Sequence, residues 1–110
     1  MNRVNLFQIL NNIIPTYSVG QIKGSIDKDL CILRRGVDIP SASNILGHWD
    51  SWYIDIYSPY GLSNVDNIIN AIKQALNEIA EIESLQSGDY YDEVMRAFSN
   101  TMSIRIPNIY

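Results

Sequence analysis

Residues 48–76 read HWDSWYIDIYSPYGLSNVDNIINAIKQAL, and two different periodicities meet inside them. From His48 to Ser58 the side chains alternate. Trp52, Ile54 and Ile56 fall on one face, and Tyr53, Asp55 and Tyr57 on the other. A period of two predicts a strand with one face on a core. Pro59-Tyr60-Gly61 then supplies turn chemistry. Beyond the turn, Val65, Ile68, Ile69, Ile72, Leu76 and Ile79 form a stripe at helical spacing. Ser63-Asn64-Val65-Asp66 has the Ser-x-x-acid form of a capping box. A helix is expected over 64–83, about 30 Å long at 1.5 Å per residue. Asn67, Asn70, Lys73, Gln74, Asn77, Glu78 and Glu81 fall mostly on its other side, so the helix is expected to lie across a sheet.

The flanking segments extend this plan. Upstream, Leu6, Phe7, Leu10, Ile13 and Ile14 give a short amphipathic helix over 3–14, closed by Pro15. Residues 17–26 read as extended chain interrupted by Gly20 and Gly24. Leu30 to Arg35 is a compact apolar run with a charged end, a buried strand that reaches solvent at Arg34 and Arg35. Residues 36–47 read as a loop long enough to serve contacts. Downstream, Ser87-Gly88-Asp89 punctuates the chain, and Tyr90 to Phe98 suggests a short helix using Val94, Met95 and Phe98. Thr101 to Pro107 alternates again, with Pro107 marking a strand end or an edge. The expected fold is a single α+β domain over 1–110: one mixed or antiparallel sheet of about four strands, carrying a short N-terminal helix and one long helix.

Composition narrows the function. In 110 residues, 46% are hydrophobic and 18% charged, which fits a packed core and excludes a disordered chain. Cys31 is the only cysteine, so no internal disulfide can form. No apolar run approaches the ~18–20 residues that span a bilayer. The N-terminal run is broken by Gln8, Asn11 and Asn12, unlike a signal peptide. A reducing cytoplasm is the expected compartment. Acidic residues outnumber basic ones 12 to 8, for a net charge of −4. A nucleic-acid grip needs a basic stripe, and Arg34-Arg35 is the only basic pair.

Chemistry-bearing residues are sparse. His48 is the sole histidine, and no serine or cysteine near it sits in a nucleophile motif. One His and one Cys without ligand spacing do not make a structural zinc site. Cys31, between Leu30 and Ile32, reads as a small buried hydrophobe, although Arg34 and Arg35 could favour a thiolate. Asp27 and Asp29 lie in a turn. Glu78, Glu81 and Glu83 fall at the expected helix end, where acids oppose the dipole. A solvated face explains both groups, and a basic partner is the functional alternative. Gly20 and Gly24 match no phosphate-loop fingerprint. No catalytic residue, metal or cofactor is expected. The aromatic group Trp49, Trp52, Tyr53, Tyr57 and Tyr60 is the most informative. By alternation Trp52 belongs to the core, whereas Trp49, Tyr53 and Tyr57 face away from it. Such aromatics either contact a partner or lie beneath a second covering segment.

Three segments together resemble the phage tail terminator (tail completion, neck) family. Trp52-Tyr53-Ile54-Asp55-Ile56-Tyr57-Ser58 is similar to that family's aromatic-rich strand. Ile68-Ile69-Asn70-Ala71-Ile72-Lys73-Gln74-Ala75-Leu76 is similar to its long helix, and Met102-Ser103-Ile104-Arg105-Ile106-Pro107 to its last strand. The resemblance spans most of the chain; the 36–47 segment departs from it. It implies a non-enzymatic virion protein assembled in the bacterial host cytoplasm. The implied form is a homo-oligomeric ring, usually of six, at the head-proximal end of a tail tube. Its implied partners are itself, the tail tube protein and the head connector. DNA would pass through without specific binding, a passage that acidic walls favour; replacing acids with lysine should slow it, and unchanged passage would refute the idea. A ring needs two different patches per protomer. The expected candidates are Trp49, Tyr53 and Tyr57 on one side, and Arg34 and Arg35 with the 36–47 loop on the other. The alternatives are another head–tail joining protein, a small host-binding adaptor, or a ligand-binding α+β domain with a polar-lined pocket.

Overall fold

The alternating stretch forms the central strand β4 (Gly47–Ser58) of the computed structural model, which describes residues 3–36, 39–40, 47–77, 81–86 and 89–109. Its longest partner is β7 (Ala97–Ile109), antiparallel to it from Gly47↔Ile109 to Ser58↔Phe98. On the other side β4 pairs antiparallel with β2 (Leu30–Arg35), where Leu30 faces Tyr57 and Arg35 faces Trp52. A short β1 (Thr16–Ser18) runs parallel to β2, so the sheet is mixed. β5 (Glu81–Gln86) closes the far edge along β7. The order is β1-β2-β4-β7-β5, with β3 (Ile39–Pro40) added to β4 and β6 (Tyr90–Asp92) added to β7. The fold is α+β on one mixed sheet, larger than the four strands expected.

Both helices pack on one face of that sheet. α1 (Arg3–Asn11) and α2 (Leu62–Leu76) send Leu6, Leu10, Val65, Ile69, Ile72 and Leu76 into one core. The sheet answers with Cys31, Leu33, Trp52, Ile54, Ile56, Met102, Ile104 and Ile106. These strand residues follow the period-two rule, because alternate Cβ atoms leave the pleat on the same side. Each fully buried aliphatic side chain here contributes roughly 1.5–3 kcal/mol. α1 is shorter than its apolar stripe. Ile13 and Ile14 both donate to the Leu10 carbonyl in a closing turn, and Asn11 Oδ1 accepts from the Thr16 amide at 2.8 Å.

Several expectations are corrected. α2 ends at Leu76, with Asn77 as its C-cap, and residues 81–83, expected as the end of the helix, belong to the strand Glu81–Gln86. β7 offers an open edge over 102–105, and Ile82 opposite Ile104 completes it. Backbone pairing along that edge outweighs one or two more helical turns, because unpaired sheet groups must find partners. Glu81 and Glu83 therefore do not oppose a helix dipole, and Glu78 lies outside the described residues. The capping box does not form either. Gly61 is the N-cap, at φ 151°, with no side-chain cap bond. That backbone angle lets the chain leave β4 and enter the helix within three residues, so Ser63 is already inside the first turn.

The 90–98 segment is a hairpin and not a helix. β6 turns through Glu93–Arg96 into β7, with Asp92 Oδ1 accepting from the Met95 amide at 2.9 Å. Arg96 takes the left-handed conformation, φ 53°, that the tight return requires. The three apolar residues point to different places: Met95 is buried, Phe98 meets Tyr91 edge-on at 5.0 Å, and Val94 is 71% exposed. β7 also runs past Pro107 to Ile109. The last β5 pair is at Arg105, so on that side Pro107 has no strand neighbour among the described residues. Within the expected 36–47 loop, Ile39 and Pro40 are strand, pairing with Trp49 and His48. Residues 37–38 and 41–46 lie outside the described residues.

Candidate interaction face

Among the described residues, no helix packs on the sheet's second face. It is built by Leu30, Ile32 and Arg34 of β2, Tyr53, Asp55 and Tyr57 of β4, and Ser99, Thr101 and Ser103 of β7, which the register sets side by side. This face has two halves. At one end Leu30, Tyr57, Met95 and Ala97 form a second small core, packed by Tyr17, Ile22, Ile26 and Ile32. The loop between β1 and β2 folds over it, fastened where the Ile26 amide donates to the Met95 carbonyl at 3.0 Å. Tyr57, expected at a contact, is thus buried within the chain, 9% exposed. Burial pushes its hydroxyl well above the usual tyrosine range, and Asp55 and the hydrogen-bonded Tyr90 hydroxyl act the same way.

The other half is polar, with Arg34 exposed, Tyr53 and Thr101 half-buried, and Asp55 and Ser103 buried. Arg34 grips Asp55 with two donors, Nε to Oδ2 at 2.7 Å and Nη2 to Oδ1 at 3.1 Å. Thr101 donates to the same Oδ1 at 2.6 Å. The Arg34 guanidinium also lies 4.7 Å from the Tyr53 ring centre. Its bond to the Asp55 carboxylate raises its own already high pKa. The exposures are unequal: 44% for the Arg34 side chain against 12% for that of Asp55. A buried carboxylate thus holds one flank of a cation while the other flank faces solvent. Gly36 seals the edge. Its amide donates to the Ser51 carbonyl at 2.7 Å. A Cβ there would come within 2.8 Å of the Tyr53 ring and 2.9 Å of the Ser51 hydroxyl.

Of the sequence-derived contact residues, Arg34 and Tyr53 meet on this face. Arg35 points to the opposite face, exposed, with its guanidinium 5.2 Å from the Trp52 ring centre. Trp49 is placed by its backbone, opposite Ile39 and Pro107; its side chain, like that of His48, lies outside the described part. Asp55, Thr101 and Gly36 were not anticipated. An aspartate in mid-strand between aromatics was the available signal, since a half-buried carboxylate demands a cation or hydroxyl partner.

The remaining polar groups have local work. Cys31 is buried beside the Thr16 hydroxyl at 3.2 Å, and burial pushes its thiol up to about 11, so it stays protonated at neutral pH. Asp29 accepts from Asn64 at 3.3 Å, and the Asp27 carbonyl from the Tyr60 hydroxyl at 2.8 Å. These bonds tie the covering loop to the turn that opens α2. Among the described residues no group of three His, Cys, Asp or Glu side chains is placed to hold a metal ion. No helix there is long and apolar enough to cross a membrane. No protein-family model and no curated protein matches the sequence.

Proposed function

We propose that this chain is a structural assembly protein of a phage, or phage-derived, tail. In this reading it caps the head-proximal end of the tail tube as a ring and joins the tube to the head connector. One observation carries the proposal. A short helix, a twelve-residue strand, a tight turn, an amphipathic helix and a long closing strand follow in the order of the resembling family, on a sheet whose helices cover one face. The polar half of the other face supports it too. Arg34 and Tyr53 are held in fixed positions from below, so a neighbour meets an ordered surface and loses little side-chain entropy in docking.

The test is the mass of the purified full chain by light scattering, alone and after addition of assembled tail tubes. A ring mass, or co-migration with tubes, supports the reading. A monomer that ignores tubes overturns it in favour of an adaptor or ligand-binding domain.

A further inference from the structure

Residues 19–29 cross the second face between two points that the sheet already secures. Before them, Thr16–Ser18 pair with Cys31–Leu33; after them, β2 starts at Leu30 in register with Tyr57. The ladder is therefore complete without the segment between. Within that strap Ile22, Ile26 and Asp29 are partly buried, and every other residue is exposed. Ile22 and Ile26 rest on the floor made by Leu30, Tyr57, Met95 and Ala97.

Few bonds hold the strap down. Among the described residues, its backbone amides donate once beyond the strap and its near end, from Ile26 to the Met95 carbonyl at 3.0 Å. Two side chains at the entrance of α2 act as latches. The Tyr60 hydroxyl donates to the Asp27 carbonyl at 2.8 Å, and Asn64 donates to Asp29 at 3.3 Å. Gly20 and Gly24 take φ of 88° and 82°, and a Cβ on either would meet nothing within 4 Å. Both glycines thus serve a backbone angle and not a close contact. Lifting the strap breaks these few contacts, whereas unfolding the sheet also breaks the core beneath both helices. A segment so held opens at a lower free energy than the whole fold.

We propose that residues 19–29 form a lid that lifts off the second face as a unit while the sheet stays folded. Opening uncovers Leu30, Tyr57, Met95 and Ala97, and in the closed state the occupant of that floor is the chain's own Ile22 and Ile26. The latches place the lid under the control of the turn that opens α2. The lid belongs to the single chain and does not rest on the ring reading.

The test is amide hydrogen exchange of the full chain, followed residue by residue by NMR at several low urea concentrations. The Ile26 amide should exchange roughly a hundredfold or more faster than the slowest β4–β7 amides. Its urea dependence should be well below theirs, because little surface is uncovered. Tyr60→Phe removes one latch and should speed Ile26 exchange about fivefold. Gly24→Ala puts a Cβ on a left-handed backbone angle with nothing to strike, and should speed it by about the same factor. Circular dichroism checks that both variants stay folded. If Ile26 exchanges at the ladder's rate and with the ladder's urea dependence, the strap opens only with the whole fold and the lid is wrong. Fast exchange that neither variant alters overturns it too, since Tyr60 and Gly24 then do not hold the lid shut.

Discussion

Arg34 and Asp55 pair diagonally across the β2–β4 ladder. In register Arg34 faces Tyr53 and Asp55 faces Ile32, yet the guanidinium reaches over to take both carboxylate oxygens. Asp55 is the more deeply buried partner and also accepts from Thr101. Three strands are joined by one carboxylate.

That asymmetry predicts unequal mutational costs. Arg34→Ala should destabilise the fold by about 1–3 kcal/mol, because it leaves the buried Asp55 carboxylate without its cation. Asp55→Ala should cost about 1 kcal/mol, because the half-exposed Arg34 guanidinium that it leaves behind is solvated by water. Urea unfolding of the two single variants and the double variant measures both costs and their coupling. Equal costs would contradict the burial of Asp55 as the inner partner.

Tyr57 and Tyr53 look alike in the sequence and differ in the fold. Tyr57→Ala should cost about 3–5 kcal/mol, the range for emptying a buried aromatic site. Tyr53→Ala should cost about 1 kcal/mol, mostly its contact with the Arg34 guanidinium. Thermal or urea denaturation separates them.

Gly36→Ala should destabilise by about 1–3 kcal/mol through overpacking. The added methyl would press on the Tyr53 ring and the Ser51 hydroxyl. A combined Gly36→Ala, Tyr53→Ala variant relieves part of the clash and should cost less than the sum of the two single changes.

Alkaline pH should weaken the fold through two buried groups. Burial raises the Cys31 thiol from 9.0 to about 11 and raises the Tyr57 hydroxyl as well. In the unfolded chain both groups lose protons at their ordinary pKa, while the native state still holds them. The unfolded state then binds fewer protons, so stability falls as pH rises. The stabilisation is complete below pH 9 and declines from there toward 11 for Cys31, and from about 10 upward for Tyr57. Cys31→Ala should flatten the first part of that decline, and Tyr57→Phe the second, in urea midpoints measured across pH 8 to 11.

What the sequence by itself determined was everything with a local period. The alternation of Trp52, Ile54 and Ile56 marked β4 and its buried face. The Leu30–Arg35 run matched β2 residue for residue. The stripe Val65, Ile69, Ile72 and Leu76 marked the face of α2 that is buried. These patterns are legible because a helix or a pleat repeats its side-chain directions along the chain, and burial selects apolar residues at that repeat.

Tertiary structure alone decided where each pattern stopped and what covered the second face. α2 yields to β5 because a β7 edge some twenty residues further on needs a partner. The 90–98 stretch is a hairpin because Met95 is drawn to Tyr57 and Phe98 to Tyr91. Alternation put Tyr53 and Tyr57 on one face; only the returning 19–29 loop, fastened to Met95, buried the one and left the other beside Arg34. The Arg34–Asp55 pair is likewise written in two distant segments. Such contacts have no sequence period. They come from the closure of a sheet, which brings distant strands into register and fixes which polar groups must satisfy one another.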